Sequence, residues 1–280
     1  MNNVALQAYQ NAVNGQKTGQ KCPKHGVELI YIRSGKDPST GRLACSECDK
    51  EALAALADAF DKKAAEEIKR SYFMQHSLAS AEAFNCSFDT FIAKTKYEEA
   101  IKHKLMSTAK AYAVKPEAQR NAVLYGKSGT GKSHLAMSLM KYVADHSDQK
   151  CVYVNVTKLF RKIKNSMNSD YEYWTESKAE DIMTGCDLLC IDDLGTESSM
   201  GRQGQEASRW VQNVLYDALE NQKRVVITTN LDEQQLRRTY DAKLFSRIFR
   251  NSNSTRFNFD GIEDKRLMPN LGGANNGRDY

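Results

Sequence analysis

Residues 126–133 read Gly-Lys-Ser-Gly-Thr-Gly-Lys-Ser and match the phosphate-binding pattern G-x-x-x-x-G-K-[ST] at every fixed position. The apolar run 122–125 before them is typical of a buried strand, and the apolar periodicity of 135–143 after them is typical of a helix. The motif requires this strand–loop–helix context, because a helix start presents free N–H groups and its positive dipole end to phosphate. The sequence therefore predicts an α/β fold built around a nucleotide site.

The same motif indicates how its side chains would contact ATP. Lys132 can reach the β and γ phosphates, and the hydroxyl of Ser133 can ligate magnesium. We therefore expect ATP and Mg²⁺ as cofactors, with Lys132 also acting in catalysis. The other predicted nucleotide contacts lie along the loop, where glycines let backbone N–H groups turn inward. They are Gly126, Lys127, Ser128, Gly129, Thr130 and Gly131.

From about residue 86 onward, helix and strand patterns alternate. A helix is predicted over 96–114, and further strands over 151–156, 188–191 and 225–229. Such alternation is typical of a parallel sheet covered by helices on both faces. In sequence order, one strand intervenes between the loop strand and the strand at 188–191, unlike the simpler kinase and GTPase arrangement.

Two carboxylates follow the strand at 188–191, at the end where parallel sheets place ligand chemistry. Asp192 is predicted to hold Mg²⁺ through water, and Asp193 to orient the water that attacks the γ-phosphate. Asn230, at the end of the next strand, is expected to help position that water. The alternative is that these are ordinary turn residues, since Asp and Asn often follow strands.

Two short patterns near the N-terminus have the spacing of a zinc site. Cys22 and His25 form one pair, and Cys45 and Cys48 form the other, each with two residues between its members. Two such pairs supply four tetrahedral ligands and leave no open position, which predicts structural rather than catalytic zinc. The alternative is reduced cysteines beside a surface histidine. The other cysteines lack this spacing and are expected to be core thiols: Cys86, Cys151, Cys186 and Cys190.

A helix is predicted over 49–70, a run rich in Ala, Glu, Lys and Leu without Gly or Pro. Its apolar residues recur at steps of three and four and form a stripe that predicts either internal packing or a partner-docking face. The members of the stripe are Leu53, Leu56, Phe60, Ala64 and Ile68. The polar segment 75–85 is interpreted as a linker.

Length and composition suit a globular chain, with 280 residues, 41% of them hydrophobic and 27% charged. No apolar run has the length of a membrane span, and the first residues do not resemble a secretion signal. We therefore expect a cytoplasmic protein with no membrane partner. The net charge of +5 favours anionic partners only mildly.

Together, the segments 126–134, 187–195, 227–231 and 245–248 resemble the AAA+ replicative helicase loaders of bacteria and phages, the DnaC and DnaI type. The resemblance covers roughly 87–266 and extends to the related IstB transposition helpers. It implies an AAA+ P-loop ATPase fold, α/β in class, preceded by a small zinc-binding α+β domain.

The resemblance also implies roles for single residues. Asn230 would be the first sensor of the nucleotide, Arg266 the second sensor, and His134 part of the nucleotide site. Arg247 would be an arginine finger that reaches a neighbouring subunit, which requires self-association; the alternative is a surface arginine on a charged helix. Asp193 stands where many AAA+ proteins have glutamate, so ATP hydrolysis is expected to be slow or partner-stimulated.

A basic stretch followed by aromatic residues suggests contact with single-stranded DNA, since cations can track phosphates while rings stack on bases. Acidic residues among the aromatic ones weaken this signal. The residues are Lys158, Arg161, Lys162 and Lys164, followed by Tyr171, Tyr173 and Trp174.

The resemblance implies an ATP-dependent loader that binds the hexameric replicative helicase and helps place it on single-stranded DNA. The expected organisation is a zinc-binding, helicase-docking domain over 1–80, an AAA+ ATPase domain over 81–270 and a flexible tail over 271–280. Two alternatives stay open: an IstB-type transposition helper that binds duplex DNA and a transposase, and a phage protein that inhibits host replication factors.

Overall fold

The computed structural model describes residues 16–33, 41–115, 120–168, 171–196, 206–221 and 224–267. The chain divides into two compact units, Met1–Glu67 and Ile68–Tyr280. The expected domain boundaries stay a prediction. The predicted tail over 271–280 lies outside the described residues.

In the N-terminal unit, β1 (Gln16–Lys21), β2 (Glu28–Arg33) and β3 (Gly41–Ala44) form an antiparallel sheet in that order. Helix α1 follows at once and runs over Ser46–His76, so it begins earlier and ends later than the predicted 49–70. Acidic residues in its first turn, Glu47 and Asp49, stabilise that start through the helix dipole.

The apolar stripe of α1 is not buried by the residues that the structure describes. Leu53 is 55% exposed, Leu56 67% and Phe60 75%. Ile68, further along the stripe, is 70% exposed. Among the described residues, large apolar side chains at helical spacing are therefore left in contact with solvent.

The C-terminal unit is built on a parallel sheet of five strands in the order β5-β6-β7-β4-β8. Its strands are β4 (Ala122–Tyr125), β5 (Cys151–Asn155), β6 (Leu188–Leu194), β7 (Val225–Thr229) and β8 (Arg256–Asn258). In space it is β7 that lies between the phosphate-loop strand β4 and the acidic strand β6. The ends of these three strands therefore meet at one edge of the sheet.

Helices cover both faces of this sheet. One face carries α2 and α3, where Leu105, Leu124 and Leu135 are fully buried. The other carries α4 to α8, packed around residues such as Leu159, Leu215 and Ile227. The helices are α2 (Lys96–Val114), α3 (Lys132–His146), α4 (Val156–Ser166), α5 (Glu176–Thr184), α6 (Glu206–Asn221), α7 (Glu233–Thr239) and α8 (Ala242–Ile248).

The segment 75–85 is not a linker, and that interpretation was wrong. Leu78 extends the sheet beside β5: its N–H donates to the carbonyl of Tyr153 at 2.7 Å, and its carbonyl accepts from the N–H of Asn155 at 3.1 Å. Phe73, just before it, is 4% exposed and packs in the core of the same unit. The small and polar residues of this segment gave no sign of the pairing. The pairing covers the backbone groups at the β5 edge of the sheet.

The parallel sheet with helices on both faces, together with the small antiparallel sheet near the N-terminus, confirms the predicted α/β fold class with an α+β element before it. Among the described helices, none is both long and apolar enough to span a membrane.

Candidate nucleotide and metal sites

The phosphate-binding loop joins β4 to α3 through backbone conformations that favour glycine. Gly126 has φ of +132° and Gly131 has φ of +94°. A Cβ at Gly126 would lie 2.8 Å from the backbone nitrogen of Asp260, and one at Gly131 would lie 2.7 Å from a ring carbon of Phe91. Side chains at these two positions would be excluded by strain and by contact, which keeps the loop open to a phosphate chain.

Lys132, the first residue of α3, lies along the inside of this loop and is 4% exposed. Its Nζ donates to the carbonyls of Gly126 at 2.7 Å and Lys127 at 2.6 Å. Burial lowers its pKa, while Asp193 and Asp192 oppose that shift. Ser133, half-buried, follows in the first turn of the helix. The start of α3 thus supplies the buried ammonium group of Lys132 and the hydroxyl of Ser133. These two groups suit a polyphosphate that carries a magnesium ion.

The acidic pair ends β6 in an irregular stretch of strand. Asp192 pairs in register with Asn155 of β5 and is 4% exposed. Asp193 has φ of +59°, a left-handed conformation that aspartate tolerates better than most residues. The pairing of β6 with β7 shifts register between Ile191 and Leu194, so the two carboxylates leave the regular pleat.

Asn155 connects the two carboxylates. Its Nδ2 donates to Asp192 Oδ2 and to Asp193 Oδ2, at 3.1 Å each. Its Oδ1 accepts from the N–H of Lys158 and so caps α4. Burial and the neighbouring charge of Asp192 raise the pKa of Asp193, while the hydrogen bond from Asn155 lowers it. A carboxylate with a raised pKa is the better proton acceptor, which suits the predicted role of Asp193.

Two further predicted residues come from segments later in the chain. Asn230 follows β7 directly and is exposed. Arg266 lies in the 3₁₀ turn Lys265–Leu267, and its guanidinium donates to Ser128 Oγ of the phosphate loop at 2.7 Å. Asp264 accepts from the backbone N–H of Arg266 at 2.9 Å and lies against Gly129. Arg266 is therefore beside the phosphate loop of its own chain.

His134 contacts the segment that precedes α2. Its Nε2 lies 2.9 Å from the carbonyl of Ser87 and 3.1 Å from the hydroxyl of Thr90, and its ring packs edge-on against Phe91. Burial lowers the pKa of the imidazole. These contacts attach the first turn of α3 to residues 87–91, so His134 supports the loop from behind.

Arg247 is held in place by residues of α6 in the same chain. Its guanidinium pairs with Glu220, donates to the hydroxyl of Tyr216 at 2.9 Å and lies over that ring at 4.3 Å. It also donates to the carbonyl of Lys243 at 3.2 Å. Among the described residues, none of these contacts involves the phosphate loop. The guanidinium is thus fixed in one orientation, and its side chain is only 18% exposed.

The structure brings Cys22, His25, Cys45 and Cys48 together, with all four potential ligand atoms within 4.8 Å of one another. The Sγ atoms of Cys22 and Cys48 are 3.8 Å apart, and His25 Nδ1 lies 3.3 Å from Cys48 Sγ. Tetrahedral zinc ligands would be separated by about 3.8 Å for two sulfurs and about 3.5 Å for sulfur and nitrogen. The donor set and its spacing therefore fit zinc.

Two features around this cluster support metal binding. The backbone N–H of His25 contributes most to lowering the pKa of Cys22 to about 6, and a thiolate is the form that binds metal. The other ring nitrogen of His25, Nε2, lies 3.0 Å from Glu51 Oε1. A carboxylate behind a ligating histidine sets its tautomer and ring orientation. Sequence reasoning missed Glu51, although its place on α1 near Cys48 is visible in the sequence.

Sequence reasoning also missed Asn155 and Thr228, both beside the acidic pair. Thr228 Oγ1 donates to Asp192 Oδ1 at 2.7 Å and accepts from the N–H of Asp193 at 2.9 Å. A polar residue that ends an apolar strand was a usable signal for Asn155. No comparable signal marks Thr228, because threonine is common within strands.

The predicted DNA-binding platform is only partly available. Trp174 is 5% exposed and packs in the core, so it cannot stack on a base, and that part of the interpretation was wrong. Lys162 pairs with Glu172 at 3.1 Å. Tyr171 and Tyr173 are 98% and 52% exposed. Two tyrosines and two exposed cations of α4, Arg161 and Lys164, thus stay accessible.

Comparison with known proteins places these features in context. Residues 83–252 match the bacterial DnaA ATPase domain. The replicative helicase loader DnaC of Buchnera aphidicola subsp. Acyrthosiphon pisum is 26% identical over 166 residues, 59% of this chain and 63% of that protein. A crystal structure of the DnaC helicase loader aligns with 66% of this chain and 100% of its own, at 20% identity and a TM-score of 0.46. A crystal structure of DnaI aligns with 65% of this chain and 92% of its own, at 21% identity and a TM-score of 0.48.

The family match includes the phosphate loop, the acidic pair, Asn230 and Arg247, and it excludes the cysteine and histidine cluster. The chain spans about 63% of the length of the first curated relatives that it matches. The resemblance to AAA+ proteins of the DnaC type, predicted from the motifs, is confirmed by these matches.

Proposed function

Because this chain belongs to the bacterial DnaA ATPase-domain family, we propose that it is an ATP-dependent loader of a hexameric replicative DNA helicase. The observation that carries the proposal is a complete phosphate loop and acidic pair in a chain whose curated relatives are named replicative helicase loader DnaC. In this proposal the protein, bacterial or phage in origin, binds the helicase ring and helps place it on single-stranded DNA in the cytoplasm.

The ATPase site would work through residues already close to one another. Lys132 would bind the β and γ phosphates, and Ser133 and Asp192 would hold magnesium, which neutralises charge that develops on the phosphate. Asp193 would accept a proton from the attacking water, with Asn230 fixing that water. Asn155 would keep the carboxylate of Asp193 in place.

Aspartate in place of the longer glutamate supports slow or partner-stimulated turnover. Asp193 reaches one methylene less far than glutamate, and its side chain is already engaged by Asn155 at 3.1 Å. A neighbouring subunit or the helicase would then have to complete the site. In this proposal the adjacent subunit contributes Arg247, whereas Arg266 is supplied by the same chain as the phosphate loop.

If Arg247 acts on the ATP site of an adjacent subunit, the protein must self-associate. A guanidinium supplied by the next subunit stabilises charge on the transferred phosphoryl group. Glu220 and Tyr216 support this role, because they hold the arginine in one orientation before any subunit arrives. Arg266 supports a sensor role differently, since it already contacts Ser128 of the phosphate loop.

The N-terminal part would bind zinc and the helicase. Cys22, His25, Cys45 and Cys48 fit a structural zinc that holds the hairpin to the start of α1. The exposed stripe of α1 supports a docking role, because a helix with an apolar face is a common partner for a hydrophobic groove. We place this docking domain within residues 1–80.

Single-stranded DNA would contact the accessible part of α4 and the segment after it. Arg161 and Lys164 are exposed cations, and Tyr171 and Tyr173 are exposed rings. Cations beside stackable rings are the usual elements of a sequence-tolerant single-strand site.

Light scattering on the protein mixed with the host replicative helicase, with and without ATP, tests the loader proposal. Truncation at residue 81 would remove Phe73 and Leu78 from the ATPase unit, so point variants are preferable. Leu56→Ser with Phe60→Ser alters the stripe, and Lys62→Ser is a matched exposed control on the opposite side of α1. We expect a complex with the wild type and the control, and none with the stripe variant.

A complex that forms equally well with the stripe variant would move docking away from α1 without affecting the loader proposal. No complex in any nucleotide state would contradict the loader proposal itself. Duplex DNA binding would then decide in favour of a transposition helper.

A further inference from the structure

One buried hydroxyl lies between the two acids of the ATPase site. Thr228 is the second-last residue of β7 and is 0% exposed. Its Oγ1 donates to Asp192 Oδ1 at 2.7 Å and accepts from the backbone N–H of Asp193 at 2.9 Å. A single hydroxyl thus uses its donor on one acid's side chain and an acceptor on the other acid's backbone.

These two hydrogen bonds stabilise two features that are energetically unfavourable by themselves, a buried carboxylate and a left-handed backbone conformation. Asp192 is a buried carboxylate. Its Oδ2 accepts a hydrogen bond from Asn155, and Thr228 donates the hydrogen bond that its other oxygen, Oδ1, accepts. Asp193 has φ of +59°, which costs conformational energy unless neighbouring groups determine it. The irregular pairing of β6 with β7 occurs at these same residues, between Ile191 and Leu194.

We propose that Thr228 is a positioning residue for ATP hydrolysis, which fixes the carboxylate of Asp192 for the metal and the backbone of Asp193 for the attacking water. The proposal rests on the proposed ATPase function and adds to it a residue that acts through its contacts with Asp192 and Asp193. Because Thr228 lies on β7, which Asn230 follows directly, it also links that sensor position to the acids.

Thr229, the next residue, provides a matched control. It is also 0% exposed and its hydroxyl also makes two hydrogen bonds, donating to the carbonyl of Leu194 at 2.7 Å and accepting from the N–H of Leu231 at 3.1 Å. Neither partner is a carboxylate. Thr229→Val therefore removes the same number of buried hydrogen bonds from the same strand without touching the acids.

The test compares Thr228→Val, Thr228→Ser and Thr229→Val with the wild type in the full-length protein. Valine keeps the shape and removes the hydroxyl, whereas serine keeps the hydroxyl. Three quantities are measured: the rate of hydrolysis of radiolabelled ATP, the Mg²⁺ concentration for half-maximal binding of a fluorescent ATP analogue, and the unfolding temperature.

We expect Thr228→Val to lower kcat about tenfold and to raise the half-maximal Mg²⁺ concentration about tenfold, as is usual when a partner of a metal-holding carboxylate is removed. Thr228→Ser should restore both quantities, and Thr229→Val should change neither, although both valine variants lower the unfolding temperature.

Equal losses in Thr228→Val and Thr229→Val would overturn the proposal, because they would indicate a general effect on the strand. Wild-type behaviour of Thr228→Val, or no rescue by serine, would overturn it as well. A wild-type protein that binds the analogue with Mg²⁺ but never hydrolyses ATP would contradict the ATPase function instead. The Mg²⁺ dependence of binding would still decide the role of Thr228.

Discussion

The side-chain amide of Asn155, at the end of β5, lies 3.1 Å from the carboxylate of Asp193 on the adjacent strand β6. The same nitrogen holds Asp192, so one amide at the end of β5 restrains both acids. Since Asn155 also caps α4, the start of that helix and the acidic pair are mechanically connected. A shift of α4 would therefore be transmitted to the residue expected to activate water.

Asn155→Ser should slow ATP hydrolysis about tenfold and leave the nucleotide Kd within about threefold. Serine keeps a cap for α4 but does not supply the amide that bonds the two carboxylates. Steady-state ATPase rates and binding of a fluorescent nucleotide check this. Thr175→Ala is the control, since Thr175 caps α5 and contacts neither acid; it should reduce stability by about 1 kcal/mol with hydrolysis unchanged. Equal hydrolysis by Asn155→Ser and wild type would contradict the prediction.

Asp193→Asn should reduce hydrolysis by at least about a hundredfold while ATP binding persists. Asparagine adopts the left-handed conformation at φ of +59° readily, so the fold of β6 is retained, but its amide cannot accept a proton. Rapid-quench measurement of product and equilibrium binding separate the two effects. Lys132→Ala serves as a contrast, because it should abolish binding as well. Retained turnover in Asp193→Asn would exclude this residue as the general base.

Zinc content should be one ion per chain and should fall to near zero in Cys45→Ser. The physical reason is that three ligands bind zinc far more weakly than four, and loss of metal is coupled to loss of local structure. Metal analysis after dialysis checks this, with Cys86→Ser as the control, since Cys86 is a free thiol outside the cluster. Glu51→Gln should weaken zinc retention about tenfold through His25. Zinc retained by Cys45→Ser would exclude the four-residue site.

Arg247→Ala should lower ATPase activity at high protein concentration without changing nucleotide binding. If the arginine acts on a neighbouring subunit, mixing Arg247→Ala with Asp193→Asn should restore activity. In the mixture one subunit has an intact catalytic pair and the other supplies the arginine. Arg250→Ala is the matched control, because Arg250 lies 3.7 Å from the same Glu220 partner. Failure of the mixture to recover, with each variant still self-associating, would count against a trans role.

The local parts of this protein were readable from sequence. The phosphate loop is formed by consecutive residues whose glycines and helix start carry the conformation in themselves. The zinc-type cluster follows from two short turns, each of which already presents two ligands. The parallel sheet follows from the alternation of apolar strands with helices. In all three, the signal is carried by short segments whose own residues show what each segment forms.

The positioning of the acidic pair was decided only by the tertiary structure. Asn155 lies 37 residues before Asp192, and Thr228 lies 36 residues after it, so their contacts exist only because three parallel strands end side by side. The burial of Trp174 and the pairing of Leu78 with β5 were likewise invisible to composition. The order of the amino acids alone establishes which chemical groups the chain carries and which local turns present them. The packing of strands brought together from distant segments decided which of those groups restrain one another, because hydrogen bonds between side chains depend on positions in space rather than on spacing along the chain.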